Sequence, residues 1–125
     1  MSKVITITSD GRVDVADAPD NGDDLEFMQD FVGGYVECYD FIHAETGLLA
    51  SMWINEEALY LPLFYNPIAS KLLSRDRNCT MRIVGDVVIT GPSDDEGETT
   101  YFDGPTAAVF AENIRNTDIT LDLVQ

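Results

Sequence analysis

Residues 31–38, FVGGYVEC, decide the fold class, because two glycines stand between an apolar helical pattern and an apolar strand pattern. The apolar residues before the glycines recur at three- and four-residue steps, as in an amphipathic helix: Leu25, Met28, Phe31 and Val32. Residues 35–42 then offer apolar side chains to both faces, which predicts a central strand. Gly33 is expected to close the helix in the left-handed conformation, and Gly34 to let the chain enter the strand closely packed.

A glycine pair is also typical of phosphate-binding loops, in which backbone amides point at the anion. Such a loop follows a strand and precedes a helix, so that the amides belong to the amino-terminal end of the helix. Here the order is reversed. We therefore interpret Gly33 and Gly34 as architectural, with no anion site at their amides.

Upstream of the helix, the pattern predicts a β-hairpin. β-Branched residues alternate over residues 4–8, and Asp10-Gly11 is a two-residue turn signal after which the alternation resumes. The polar stretch that follows leads into the helix, where Asp23 and Glu26 resemble a capping box.

Downstream, the chain predicts a second hairpin followed by an irregular apolar segment. Gly47 supplies the turn after the strand of residues 35–42, and residues 48–55 return as its partner. Pro62 breaks any long element in residues 59–65, which are too apolar for an exposed loop. This segment is expected either to wrap the core as an irregular crossing or to present an interaction surface.

The rest of the chain predicts two further helices and two further strands. Asn66, which precedes a proline, is a cap signal for a short helix. Residues 81–91 form the clearest strand pattern, and Gly85 within it marks a bulge or a close backbone approach. Thr106 is expected to cap a last helix, and residues 118–124 alternate as a closing strand.

Together these elements predict an α+β fold in a single domain, residues 1–125. The sheet is expected to be mainly antiparallel, with about five or six strands built from hairpins. The helix of residues 23–32 and one or two shorter helices pack on it. A chain of 125 residues with 45% hydrophobic content is large enough for one core.

The charge balance is strongly acidic, with 23 acidic residues against 7 basic ones and a formal net charge of -16. Such a chain repels phosphate backbones at long range, so we expect no direct nucleic-acid binding. Three explanations of the charge stay open: solubility, imitation of DNA toward a DNA-binding protein, and adaptation to high salt.

Cys38 and Cys79 are too few and too far apart for a metal-binding framework, and we expect two reduced, mostly buried thiols. No apolar run approaches the ~18 residues of a membrane span. The start of the chain is typical of a hairpin and not of an export signal. The expected location is the cytoplasm of the cell that makes the protein, without membrane contact.

Few side chains offer catalytic chemistry. His43, the one histidine, stands beside a predicted turn, where a solvated side chain is expected. Glu56 and Glu57 form with Asn55 either a polar cluster of paired carboxylates or a helix cap and a solvated turn. We therefore expect no enzymatic activity and no cofactor.

Four of the seven cations lie within twelve positions: Lys71, Arg75, Arg77 and Arg82. They are expected either to hold an anionic ligand or an acidic partner, or to favour the dipole at a helix end. We interpret the acidic residues 94–98 as a charged loop and not as a metal site, because they lack the alternating ligand spacing of a calcium loop.

Several ordered motifs resemble those of a known family. They are the glycine pair with residues 35–37, the Asn-acid-acid segment of residues 55–57, the Leu-Pro…Asn segment of residues 61–66 and the Ile-Val-Gly-Asp strand of residues 83–86. In these motifs the chain resembles a family of small proteins of unknown function found mainly in bacteriophages, notably those of actinobacteria. The likeness covers a core of residues 20–98 and leaves residues 99–125 as a carboxyl-terminal extension, with Ala58 where the family commonly has a glycine. The resemblance implies a phage origin and no particular reaction.

Three functional hypotheses remain. The first is a non-catalytic phage accessory protein that binds a host protein in the host cytoplasm, with DNA mimicry or counter-defence as one version. The second is a protein that sequesters a nucleotide or another small molecule, using the arginine group with Tyr65 and Asn66. The third is a small enzyme based on Glu56, Glu57 and His43.

The apolar segment of residues 59–65 also bears on partners. With Trp53 nearby it would supply exposed apolar area, so a homodimer is one expected outcome. The predicted binding residues are thus Trp53, Asn55, Glu56, Glu57, Tyr65, Asn66, Arg75, Arg77 and Arg82.

Overall fold

The computed structural model describes residues 2–19 and 24–117, without the side chain of Leu59. The five strands are β1 Lys3–Ile7, β2 Val13–Asp17, β3 Val36–Ile42, β4 Leu49–Asn55 and β5 Val87–Thr90. The three α-helices are α1 Asp24–Val32, α2 Pro67–Arg77 and α3 Gly104–Arg115, and a short 3₁₀ turn spans Ala58–Tyr60. The predicted α+β fold with a mainly antiparallel sheet is confirmed.

The sheet has the order β2-β1-β5-β4-β3, and every neighbouring pair of strands is antiparallel. Ile89 of β5 pairs with Ile5 on one side and with Met52 on the other, so the two hairpins meet on this late strand. β3, predicted to be central, lies at the edge of the sheet. It carries apolar residues on both faces because α1 and α2 pack against it from opposite sides.

Helices cover both faces of the sheet. Ile5, Met52 and Ile89 point into the larger core, which contains the apolar faces of α2 and α3. Val4 and Val88 point the other way and pack against α1. The alternation along each strand therefore separates two apolar clusters, one on each side of the sheet.

The first hairpin has a longer turn than the sequence predicts. The Thr8 amide donates to the Arg12 carbonyl at 2.9 Å, which leaves three residues in the loop where two were predicted. Gly11 closes the loop with φ of 94°. A three-residue turn ending in a left-handed glycine is a common alternative for this sequence type.

The glycine pair ends α1 as predicted. Gly33 has φ of 85°, a backbone conformation that glycine adopts without a side-chain clash. The amides of Gly33 and Gly34 both donate to the carbonyl of Gln29, at 2.9 and 3.1 Å. The proposed capping residue at the other end of α1, Asp23, lies outside the described residues.

The other two helices begin at polar caps. Asn66 caps α2 by accepting a hydrogen bond from the Ala69 amide at 3.1 Å, as the sequence predicts. The cap of α3 is Asp103, whose carboxylate accepts from the amide of Thr106, so the prediction of Thr106 as the cap was wrong by three positions. The predicted closing strand of residues 118–124 lies outside the described residues.

The strand predicted for residues 81–91 is much shorter in the structure, where only Val87–Thr90 are paired in the sheet. Gly85 turns the chain with φ of 83°, and a side chain there would meet Leu63 at 3.1 Å. The predicted close approach is therefore correct. The residues before it leave the sheet to follow residues 63–66, with a single bridge between Val84 and Tyr65.

Candidate binding site

The Asn-acid-acid segment joins the end of β4 to the end of α1. The Asn55 side chain is buried; it donates to the Val32 carbonyl at 3.1 Å and accepts from the Glu57 amide at 2.8 Å. The Glu56 amide donates to the Tyr35 carbonyl at 2.8 Å. The segment therefore fixes the carboxyl end of α1, and a cleft opens on each side of it.

The first cleft, which we call the glycine cleft, has a volume of about 550 Å³. Its lining consists of Gln29, Asp30, Gly33, Gly34, Tyr35, Asn55, Glu57 and Leu61. The carboxyl end of a helix carries partial negative charge, and Asp30 and Glu57 add two carboxylates. None of the described residues that line it is basic. This electrostatic environment disfavours an anion, which agrees with the interpretation of the glycine pair as architectural.

The second cleft, which we call the arginine cleft, has a volume of about 260 Å³. It is lined by Glu37, Tyr39, Ile54, Asn55, Glu56, Ala58, Met81, Arg82, Ile83 and Val84. The hydrogen bond to Glu37, and then burial, raise the pKa of Tyr39, so its phenol stays protonated as a donor. The guanidinium carbon of Arg82 lies 5.0 Å from the centre of the Tyr65 ring.

The apolar segment predicted for residues 59–65 forms an exposed surface. Tyr60 is 88% exposed and Phe64 is 80% exposed, and Leu61 and Tyr65 are also open to solvent. We call residues 60–65 the aromatic loop. Of the two alternatives that the sequence left open, the structure shows an outward-facing segment and not a crossing that wraps the core.

The three predicted arginines do not converge on one ligand site. Arg75 pairs with Glu45. Arg77 pairs with the neighbouring Asp76 at 2.8 Å and donates to a backbone carbonyl of β3 at 3.0 Å. Arg82 lines the arginine cleft, with its guanidinium over the Tyr65 ring. Carboxylates of the protein itself therefore occupy two of the three guanidinium groups.

Asn66 and Trp53 have contacts inside the protein. Asn66 is fully buried, and its side-chain amide donates to the carbonyls of Ile7 and Gly85 at 3.1 and 2.9 Å. The indole nitrogen of Trp53 donates to the hydroxyl of Thr90 at 3.0 Å, and its ring packs in the α1 cluster. Both side chains thus hold the fold together.

His43 is buried, so the expectation of a solvated turn residue was wrong. Its ring lies 4.9 Å from that of Phe110, and Nδ1 is 2.8 Å from the Thr46 hydroxyl. Nε2 lies 3.2 Å from a Glu45 carboxylate oxygen, but the angles do not form a hydrogen bond. Burial, the largest cause, lowers the pKa of His43.

The three residues of the enzyme hypothesis are not brought together. His43 follows the end of β3, at the turn of the second hairpin, whereas Glu56 and Glu57 follow the far end of β4. The paired strands place these ends the length of the hairpin apart, because Ile42 pairs with Leu49 at one end and Val36 with Asn55 at the other. No shared catalytic geometry results among them.

Both cysteines are exposed, so the expectation of mostly buried thiols was wrong. Cys38 and His43 lie on opposite faces of the sheet. Cys38 pairs with Trp53 on the α1 face, whereas His43 packs against Phe110 of α3 on the other face. Within residues 2–19 and 24–117, no group of three acidic, histidine or cysteine side chains is placed to hold a metal ion. In the acidic loop, the Asp94 carboxylate instead accepts the amides of Glu96 and Glu98.

The fold and its clefts define a small acidic α+β domain with an open, partly aromatic face. A family model described as "Domain of unknown function (DUF3846)" matches residues 1–112, so the chain belongs to this family. No curated protein and no solved structure matches it. The matched range includes both clefts and the aromatic loop.

No helix in the described part of the chain is long and apolar enough to cross a membrane.

Sequence reasoning named the Asn-acid-acid segment and the aromatic loop, but it missed other residues of the same face. Asp30 and Tyr35 line the glycine cleft, and Glu37 and Tyr39 line the arginine cleft. Asp30 lies on the polar face of the last turn of α1, beside the closing glycines. The sequence did carry a signal for the glycine cleft: a charged residue, Asp30, stands just before the glycines that end α1, and an aromatic residue, Tyr35, follows them.

Proposed function

We propose that the protein is a non-catalytic phage accessory protein that binds a host protein in the host cytoplasm. The observation that carries this proposal is the outward-facing aromatic loop, with the rings of Tyr60 and Phe64 almost free of contact with the rest of the chain. The phage origin rests on the ordered motifs in which the chain resembles a family of phage proteins of unknown function.

Exposed rings on a rigid frame suit a protein interface. Burying one large apolar side chain contributes roughly 1.5–3 kcal/mol, and aromatic residues are enriched among those that dominate binding energy. The aromatic loop is held at both ends: the Tyr60 amide donates to the Glu57 carbonyl at its start, and the Gly85 amide donates to the Phe64 carbonyl near its end. Little ordering of the backbone is therefore required on binding.

The net charge supports a basic partner. At -16, the protein attracts a positively charged surface at long range and accelerates its encounter. DNA mimicry is the version of this proposal in which the partner surface is a DNA-binding groove. The nucleotide-sequestering alternative gains no comparable support, because Arg75 and Arg77 are paired within the protein and Asn66 is buried.

The test is capture of partners from host lysate with matched surface variants. The double variant Tyr60→Ser, Phe64→Ser removes the exposed rings, and Leu25→Ser, Val109→Ser removes two exposed apolar side chains elsewhere. We expect the wild type and the second variant to retain the same host protein in mass spectrometry, and the first variant to lose it. Equal capture by both variants would contradict the proposal.

A second copy of the chain would compete for the same loop. Sedimentation of the purified protein separates this case from host binding, because a homodimer through the loop dissociates in the Tyr60→Ser, Phe64→Ser variant without any host protein present. A wild-type dimer lost in that variant, together with no captured host protein, would replace the host-binding proposal with self-association.

A further inference from the structure

The glycine cleft has the chemistry of a cation site. The carboxyl end of α1 faces it, with its partial negative charge, and Asp30 and Glu57 add carboxylates from two different segments. The described residues that line it include no lysine, arginine or histidine to neutralise them. A positive charge on a ligand would therefore strengthen its binding in this cleft.

The cleft also has an apolar side. Tyr35, 66% exposed, and Leu61 both line it. Carboxylates beside an aromatic ring and an aliphatic side chain fit a cation on an apolar stem, since the stem packs against the aliphatic group while the cation lies over the ring. Arginine suits this better than lysine, because its planar guanidinium stacks on a ring and donates two parallel hydrogen bonds to a carboxylate.

The backbone that forms the cleft is fixed in place. A side chain added at Gly34 would meet the Asn55 amide nitrogen at 3.0 Å, so the turn between α1 and β3 packs closely against the end of β4. Asn55 in turn holds the Val32 carbonyl and the Glu57 amide. The main chain that carries the two carboxylates is therefore held before any ligand arrives, which lowers the ordering cost of binding.

We propose that the glycine cleft receives an arginine side chain of the protein partner, with Asp30 and Glu57 binding the guanidinium and Tyr35 stacking on it. This inference rests on the proposed function. Leu61 belongs to both the cleft and the aromatic loop, so a partner that covers the exposed rings extends directly over the cleft. The excess of negative charge on the whole protein favours a basic partner segment at this place.

The first test uses a defined probe and not the partner. The tripeptide acetyl-Gly-Arg-Gly-amide is titrated into ¹⁵N-labelled protein, and acetyl-Gly-citrulline-Gly-amide serves as a neutral probe of nearly the same shape. We expect saturable shifts of the Gly33, Gly34 and Tyr35 amide signals with arginine and at least about tenfold weaker binding of citrulline. Equal binding of the two peptides, or no shift at these amides with arginine, would overturn the proposal.

A matched pair of charge variants separates a local site from general attraction. Asp30→Asn, Glu57→Gln removes two charges in the cleft, and Asp95→Asn, Glu96→Gln removes two in the acidic loop after β5, at the opposite end of the sheet. We expect the first pair to weaken arginine-peptide binding about tenfold at about 150 mM salt, and the second to change it less than about twofold. Equal weakening by both pairs would show diffuse attraction and overturn the site.

The failure of this inference can be told apart from failure of the proposed function. If the ring variant loses the host protein while the Asp30→Asn, Glu57→Gln variant captures it as well as the wild type does, the partner places no arginine in the cleft. The proposed function then stands without it. If both the ring variant and the cleft variant capture normally, neither the loop nor the cleft contacts the partner, and both proposals fall.

Discussion

Asn66 and Asn55 are both buried asparagines whose side chains bind backbone groups, yet their surroundings differ. Around Asn66 the space is filled: its side chain contacts α2, β1 and the Gly85 turn, and the residue is fully buried. Asn55 holds the end of α1 in the same manner, but it lines two open clefts. A buried amide is thus a structural support in both places, and only the second region offers space for a ligand.

The difference shows what a motif of polar residues can and cannot indicate. Both asparagines belong to family-like motifs and both were predicted as binding residues. Both side-chain N–H groups of Asn66 and its side-chain oxygen are hydrogen-bonded within the fold, and the residue is fully buried, so it is not open to a ligand. In the open region, the groups available to a ligand are the neighbours of Asn55: Asp30, Glu57 and Tyr35.

The largest expected effect follows from Asn66→Ala. The change leaves the Ile7 and Gly85 carbonyls and the Ala69 amide without their buried partner, and we expect a loss of about 3 kcal/mol or more in the free energy of unfolding. Urea denaturation measures it. Asn113→Ala is the control, since Asn113 is partly exposed and its side chain binds one carbonyl of its own helix. A loss for Asn66→Ala no larger than that of the control would contradict a filled, fully bonded region.

Asn55→Ala tests the open region in the same way. Two hydrogen bonds are lost, but water in the clefts can reach the freed groups, so we expect a smaller loss of about 2 kcal/mol. The amide signals of Gly33 and Gly34 should also shift in NMR spectra, because the Val32 carbonyl at the end of α1 loses its hydrogen bond from Asn55. A destabilisation as large as that of Asn66→Ala would break the distinction between the two regions.

Gly33→Ala examines the helix end that forms the open region. Alanine in the left-handed conformation costs about 1 kcal/mol relative to glycine. Gly33→Asn should cost less, since the chain itself uses Asn78 with φ of 53° to end α2. Thermal or urea unfolding of both variants checks the order. Equal stability of Gly33→Ala and wild type would mean that the left-handed glycine does not fix this end of α1.

His43 extends the comparison to a third buried polar side chain, with the smallest expected effect. Burial lowers the pKa of His43, Glu45 opposes this shift, and Arg75 supports it. The unfolded chain binds the proton near pH 6.5, so stability is fully present above that pH and falls as the pH drops through the lowered value of the folded state. The acidic side of neutrality is therefore the window in which this group destabilises the protein.

Urea unfolding at about pH 8 and about pH 5.5 measures this slope. In His43→Gln the part of the pH dependence above the range of the carboxylates should disappear. A wild-type protein equally stable at both pH values would contradict the buried, neutral imidazole.

Local rules predicted much of the fold. The Asn66 cap, the closing Gly33 and the turn at Gly47 each depend on a few neighbouring residues, and each was found as predicted. The position of β3 was not predictable in this way, because β5, far along the chain, takes the central place between the two hairpins. Likewise, residues 81–86 have a strand pattern but leave the sheet to contact residues 63–66. The pattern itself does not show that these distant residues bind them instead of a neighbouring strand.

The candidate site could be predicted only in part for the same reason. The sequence singled out residues 55–57 and the apolar segment of residues 59–65, because paired acids and an apolar stretch interrupted by a proline are local signals. The glycine cleft arises where the end of α1 meets the end of β4, and no local pattern pairs Asp30 with Glu57. The predicted arginine group fails for the opposite reason. Arg75, Arg77 and Arg82 are close in sequence, but in the fold each contacts a different partner.

The most direct test of the central claim is hydrogen–deuterium exchange of the protein alone and in complex with the host protein that it captures. We expect slower exchange on binding in residues 29–35 and 56–65, which carry the glycine cleft and the aromatic loop, and no change around Asn66 and α2. Protection confined to α3 or to the acidic loop of residues 94–98 would contradict the assignment of the open region as the binding face.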